Sequence, residues 1–232
     1  FWQPRHLACA TRVVAISQHV ADQLIAFGVA SDRLVVVPNG IAVVRPPVPA
    51  PASEDLLVIA RHDANKNLLG LLKALATAQQ RLPKWRGVLR IVGRGVVASA
   101  ELQALRRALP RPEGLELIQE LNPVELLAML RNSLALVSAS LEEGFDYPVL
   151  EAKAEGIPTV LSQIPVHVEF HAGSSLFFPA EGGEEAFAAA LAHLLADSRL
   201  WWDLSASGRE LALSLSVTHQ QRALNAQISQ LS

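Results

Sequence analysis

The sequence predicts an α/β fold, a parallel sheet with helices on both faces. Three observations carry that expectation. Short runs such as Leu134–Ser138 are apolar on both faces, as strands buried inside a sheet are. Segments of helical periodicity separate these runs in regular alternation. Gly, Pro, Asn and Ser stand at the junctions, where helices start and stop.

Taken in order, residues 12–16 (RVVAI) read as a strand. Ser17 is an N-cap for a helix to about Phe27, ended by Gly28, and Leu34–Val37 is a second strand closed by Pro38-Asn39-Gly40. Residues 42–53 (AVVRPPVPAPAS) are too proline-rich to join a sheet centre and read as a stiff linker. Beyond it the spacing predicts strands at 55–60, 87–92, 115–118, 134–138, 159–161 and 175–178. Helices are expected at 68–80, 99–109, 123–131 (N-cap Asn122), after Pro148, and at 184–196, with two or three more closing the chain.

Half of the 232 residues are hydrophobic and 18% are charged, enough for a sizeable core. A formal net charge of −2 gives no reason to expect nucleic acid. A single Cys9 excludes a disulfide framework and a cysteine-rich metal site, and suits a cytoplasmic protein. No apolar run approaches the ~20 residues needed to span a bilayer. The chain starts Phe1-Trp2 and its one Met is Met129, so a fragment, a processed product or the ordered part of something longer is expected.

Ligands on parallel sheets of this kind bind outside the carboxyl ends of the strands. Arg61 and Lys66 follow the strand at 55–60, Gly93-Arg94-Gly95 follow that at 87–92, and Glu143 and Glu151 follow that at 134–138. Glu143 lies on a strand-to-helix loop and Glu151 about one turn into the helix that Pro148 opens. The free N–H groups of that helix start favour an anion. Each carboxylate could accept hydrogen bonds from a sugar diol. Two cations nearby suit a diphosphate. A nucleotide-sugar has this layout, while a capping Glu and a solvated Glu are the plain alternative. Gly93 and Gly95 would allow a nucleotide to approach closely. The His167/His171 pair lacks an HExxH order and a third ligand, so structural histidines are expected there.

Glu143-x7-Glu151 within EEGFDYPVLEA resembles the signature of the family-four retaining glycosyltransferases with the GT-B fold. Arg61…Lys66 before Asn67-Leu68, Pro38-Asn39-Gly40-Ile41, Ser17-Gln18-His19-Val20 and the IVGRG of 91–95 fit the same family, from about residue 11 to 212. The resemblance implies that residues 54–212 are the Rossmann-like, nucleotide-sugar donor-binding domain. It implies that 1–41 are the tail of an N-terminal acceptor domain and 213–232 a C-terminal helix. Glu143 would contact the transferred sugar and Glu151 the ribose. The N–H groups of Gly144 and Phe145 would flank the diphosphate, while Arg61 and Lys66 neutralise it as it leaves. No metal or other cofactor is implied, and no Asp-x-Asp pair occurs.

The acceptor would be a glycan or lipid-linked glycan, as in polysaccharide biosynthesis, and the full-length protein would be cytoplasmic or peripheral to a membrane. A second chain or oligomer could supply the acceptor domain, and the isolated chain would turn over poorly or not at all. A non-catalytic binding subunit and a nucleotide-sugar epimerase are the alternatives. Asp146-Tyr147, Glu155, Gln163 and Val168 depart from the family pattern.

Overall fold

The computed structural model describes residues 9–42 and 49–230, with 7 and 46. Residues 1–6 and 8 of the expected N-terminal unit, 43–45 and 47–48 of the expected linker, and 231–232 lie outside the described residues. Two sheets are present among the described residues. The smaller pairs β1 (Val13–Ala15) with β2 (Leu34–Val36) in parallel, with α1 (Gln18–Ala26) between them. Ser17 Oγ accepts from Val20 N at 3.1 Å, the expected N-cap, and Gly28 leaves the helix at φ 92°.

The larger sheet is wholly parallel, in the order β5-β4-β3-β6-β7-β8. Its strands are β3 (Leu56–Ile59), β4 (Leu89–Val92), β5 (Leu115–Ile118), β6 (Ala135–Ser138), β7 (Thr159–Ser162) and β8 (Leu176–Phe178). Every residue of β6 and β7 is buried, which is why both read as continuous apolar runs. The connecting helices are α2 (Leu68–Arg81), α3 (Ala100–Ala108), α4 (Pro123–Arg131), α5 (Tyr147–Ala154), α6 (Pro165–His171) and α7 (Glu184–Ala196). α8 (Ser198–Ser214) and α9 (Val217–Ser229) close the chain. Asn122 caps α4 through a complete capping box with Glu125.

The core joins the apolar residues of β3, β4, β6 and β7 to the inner faces of α2 and α7, which pack on each other. Trp201 on α8 is 2% exposed and donates from Nε1 to the Leu134 carbonyl at 2.9 Å. Its neighbour Trp202 is 45% exposed and meets it edge-on, with ring centroids 5.1 Å apart.

One feature differs from the expectation. α6 was not foreseen, because PVHVEFH is short and two of its three buried residues, His167 and His171, are polar. The closing helix starts at Val217, inside the expected 213–232, after a break from α8 at which Ser216 caps α9 by accepting from His219 N at 3.3 Å. At that break Ile41 bridges back to the chain, accepting from Val217 N at 3.0 Å and donating to Leu215 O at 2.8 Å. A Cβ on Gly40 would lie 2.5 Å from Val217 N, so only glycine permits this approach.

Candidate functional site

After β3 the chain makes a tight turn over Ala64–Lys66, capped by Asp63 Oδ1, which accepts from Lys66 N at 3.1 Å. Leu141 N, in the loop after β6, donates to Asn65 O at 2.8 Å and ties the two loops together. Lys66 Nζ consequently lies 2.5 Å from Glu143 Oε1, with the side chains only 19% and 15% exposed. Two residues of opposite charge, 77 apart in sequence, therefore meet at one rim. Asn67 follows in the left-handed region (φ 49°), which Asn tolerates, and its Nδ2 donates to Ala180 O at 3.0 Å.

The loop into α5 is held from both sides. Phe145 stacks edge-on against Tyr147 and Phe170, at ring separations of 5.3 and 5.2 Å. Ile16 and Val20 of the N-terminal unit approach Gly144, where a Cβ would stand 3.4 and 3.6 Å from them. The N–H groups of Gly144 and Phe145 have no hydrogen-bond partner among the described residues. Glu151 is exposed on α5, yet its pKa is raised, first by the protein atoms crowding it and then by the charge of Asp146.

Beneath the loop lies a polar group that sequence reasoning did not assign to the site. Asp146 is buried at the N-cap position of α5, but its side chain does not cap. Its Oδ2 accepts instead from Ser138 Oγ at 2.6 Å and from His167 Nε2 at 3.1 Å. His167 Nδ1 faces the Ser162 carbonyl at 2.8 Å, and Ser162 Oγ donates to Ser140 O at 2.6 Å. Both ring nitrogens thus face oxygen atoms. Burial pushes the Asp146 carboxyl up. The His167 hydrogen bond, the charges of Lys66 and His167, and Ser138 outweigh it and hold the pKa below the usual range. Asp146 had stood out in the sequence only as a departure from the family pattern, and His167 only as half of a His pair.

Arg61 is not drawn into this cluster. Its side chain is 76% exposed, 3.7 Å from Asp63 Oδ2, and it borders a separate crevice of about 280 Å³ with Gly93, Arg94, Gln119 and Glu120. Gly93 and Gly95 have structural reasons of their own. A Cβ on Gly93 would lie 2.0 Å from the Ala60 carbonyl oxygen, and Gly95 sits at φ 83°.

On the far side of α5, Lys153 is 1% exposed, and Nζ donates to the Ser174 carbonyl at 2.5 Å and to Ser174 Oγ at 2.8 Å. Burial brings its pKa down to about 7. His171 Nδ1 is buried without a partner, and burial, then the charges of Lys153 and His167, lower that ring to about 3 against the opposing pull of Asp146.

The N-terminal unit is also clamped to the site. Glu169 on α6 accepts from Gln18 N at 2.7 Å and His19 N at 3.1 Å, so a carboxylate 150 residues away completes the cap of α1. No helix among the described residues is long and apolar enough to cross a membrane.

Residues 53–197 match the family described as Glycosyl transferases group 1, and residues 1–45 match Glycosyltransferase Family 4. The GDP-mannose:cellobiosyl-diphosphopolyprenol alpha-mannosyltransferase of Xanthomonas campestris is 32% identical over 161 residues, 68% of this chain and 41% of that protein. The protein of the same name from Xanthomonas oryzae pv. oryzae is 31% identical over 162 residues. The chain thus spans 41% of the length of these curated relatives. A glycosyltransferase from Rickettsia africae superposes with a TM-score of 0.81 at 17% identity, over 97% of this chain and 65% of that one. Anabaena HepE, solved in complex with UDP-glucose, gives 0.81 at 16% identity, over 98% and 68%. At such identities the structural likeness is one of fold, that of GT-B glycosyltransferases. The family match, over more than half of the chain, goes further: the chain belongs to the group 1 glycosyl transferases.

Proposed function

We propose that this chain is the donor-binding half of a glycosyltransferase that moves a hexosyl group from a nucleoside-diphosphate sugar to a glycan or lipid-linked acceptor, retaining the anomeric configuration. The observation that carries the reading is the Lys66–Glu143 pair at the carboxyl ends of β3 and β6, beside the start of α5. Without donor, each charge is the other's counter-ion. With donor, Lys66 would turn to the diphosphate, and Glu143 would accept from a sugar hydroxyl. The N–H groups of Gly144 and Phe145 would take phosphate oxygens, and Glu151 the ribose diol. Arg61, exposed and unobstructed by the core, would swing over the nucleotide. A fixed cation facing the leaving diphosphate stabilises the charge that builds there, and removing one such group costs about 2.7–4 kcal/mol of barrier. In this scheme side chains, with no metal, do that work. The acceptor-binding half would come from further chain or from a partner subunit in the cytoplasm.

The test is a thermal-shift panel of UDP, GDP, ADP and their sugars, on the wild-type chain and on Lys66→Ala. One nucleotide should stabilise the protein, by about 2.7 kcal/mol at a hundredfold excess over Kd. The variant should lose the shift. Equal shifts in both proteins would remove Lys66 from the site, and no shift with any nucleotide would end the reading.

A further inference from the structure

The five residues that enter α5, 142–146, are held from three directions. Glu143 turns to Lys66 in the loop after β3. α1 takes Glu142 and Gly144: Gln23 Nε2 donates to Glu142 Oε1 at 2.7 Å, and Ile16 and Val20 border Gly144. α6 takes the other two. The Phe170 ring stands edge-on to Phe145 at 5.2 Å, and His167 Nε2 lies 3.1 Å from Asp146 Oδ2. His167 and Phe170 are three residues apart on a helix and so share the face turned to this loop.

Glu169, between them, reaches elsewhere. Its two carboxylate oxygens accept from Gln18 N at 2.7 Å and His19 N at 3.1 Å, at the start of α1. α6, α1 and the loop therefore touch pairwise, and the three contacts close on one another. The N–H groups of Gly144 and Phe145 belong to the stretch so clamped. Donors fixed in advance need no ordering when an anion arrives, and loosening one side of the clamp adds that ordering to the cost of binding.

We propose that α6 is the positioning element for these two amides, through Phe170 and His167, and that Glu169 couples nucleotide binding to the seating of α1. The inference rests on the nucleotide-sugar reading above. Coupling of this kind is reciprocal: if seating α1 favours nucleotide, nucleotide must favour seating α1. The test is amide hydrogen exchange and calorimetry on the 232-residue chain, with whichever of UDP, GDP and ADP binds it. Saturating nucleotide should slow exchange at Gln18 and His19 about fivefold, the worth of one net hydrogen bond. Phe170→Ala should raise the nucleotide's Kd by a similar factor and remove the slowing, while Phe170→Leu, which keeps an apolar wall, should restore most of the affinity. Glu169→Gln, at an exposed position, should also weaken nucleotide and serves alone if Phe170→Ala fails to fold. Exchange at Gln18 and His19 that ignores nucleotide overturns the inference. So do variants that lose thermal stability but keep the wild-type Kd, since a merely structural role predicts that result. Either outcome leaves the nucleotide reading standing, whereas a chain that binds no nucleotide removes both.

Discussion

Asp146 and His167, 21 residues apart, form a buried hydrogen-bonded pair, Oδ2 to Nε2 at 3.1 Å, under the first turn of α5. One end of α5 and one face of α6 are thereby fixed to each other and, through Ser138 and Ser162, to β6 and β7.

Asp146→Ala leaves His167 Nε2 and Ser138 Oγ without their buried acceptor, and should cost about 1–3 kcal/mol in urea unfolding at pH 7. Replacing both partners by apolar residues, Asp146→Leu with His167→Phe, should recover much of that loss. A double variant no more stable than the single would show that the pair itself is not what matters. The carboxyl's folded pKa lies below its unfolded value of 3.8, so its contribution is present above that pH and is lost as acid drives it through the folded value.

Lys153 sets the opposite end of the pH scale. Its folded pKa of about 7 lies below the unfolded 10.5, so between those values the unfolded chain binds more protons. Stability should therefore climb as pH rises from about 7 toward 10. Lys153→Met should flatten that climb and stabilise the protein at pH 6 by about 1 kcal/mol or more, since no buried charge remains. Tm measured from pH 6 to 10 on both proteins decides it. His171 adds a lower window: held neutral to about pH 3, it makes stability fall as pH drops below 6.5.

Removing the carboxylate in Glu169→Ala exposes the first two amides of α1 and should cost about 1 kcal/mol, the worth of a helix cap. The loss should be local. Hydrogen exchange at Gln18 and His19 should quicken, while β6 and β7 keep their protection. Uniform acceleration across the large sheet would mean that the N-terminal unit supports the whole fold.

If Glu151 accepts from the ribose diol, nucleotide affinity should weaken as pH falls through a value above the ordinary Glu range, because its pKa is raised. Glu151→Gln should bind more weakly at neutral pH and lose that acid limb. Titrations of the best nucleotide between pH 4.5 and 7.5 compare the two directly. An unchanged limb in the variant assigns it to another group.

Much of the architecture was legible because local rules governed it. β6 and β7 are buried on both faces, so their sequences carry no alternation to misread. Ser17 and Asn122 announced helix starts by chemistry that acts within three residues. α6 gave no such sign: two of its three buried positions are histidines, and only the distant Asp146 and Ser162 give His167 its partners. Lys66, Glu143 and Glu151 could be marked as candidates from their places after strand ends, while Gly144 and Phe145 came only from the family resemblance.

What the sequence determined by itself was therefore the alternation of strands and helices, the parallel sheet, and which charged residues stand at strand ends. Those depend on neighbours within a few positions. Only the tertiary structure decided that Lys66 meets Glu143 while Arg61 stays in solvent, that Asp146 is hydrogen-bonded from α6, and that Glu169 closes the start of α1. These are contacts across 21 to 151 residues. Their partners are chosen by strand order and helix packing, and Coulomb attraction at a few ångströms leaves no mark on the residues' order along the chain.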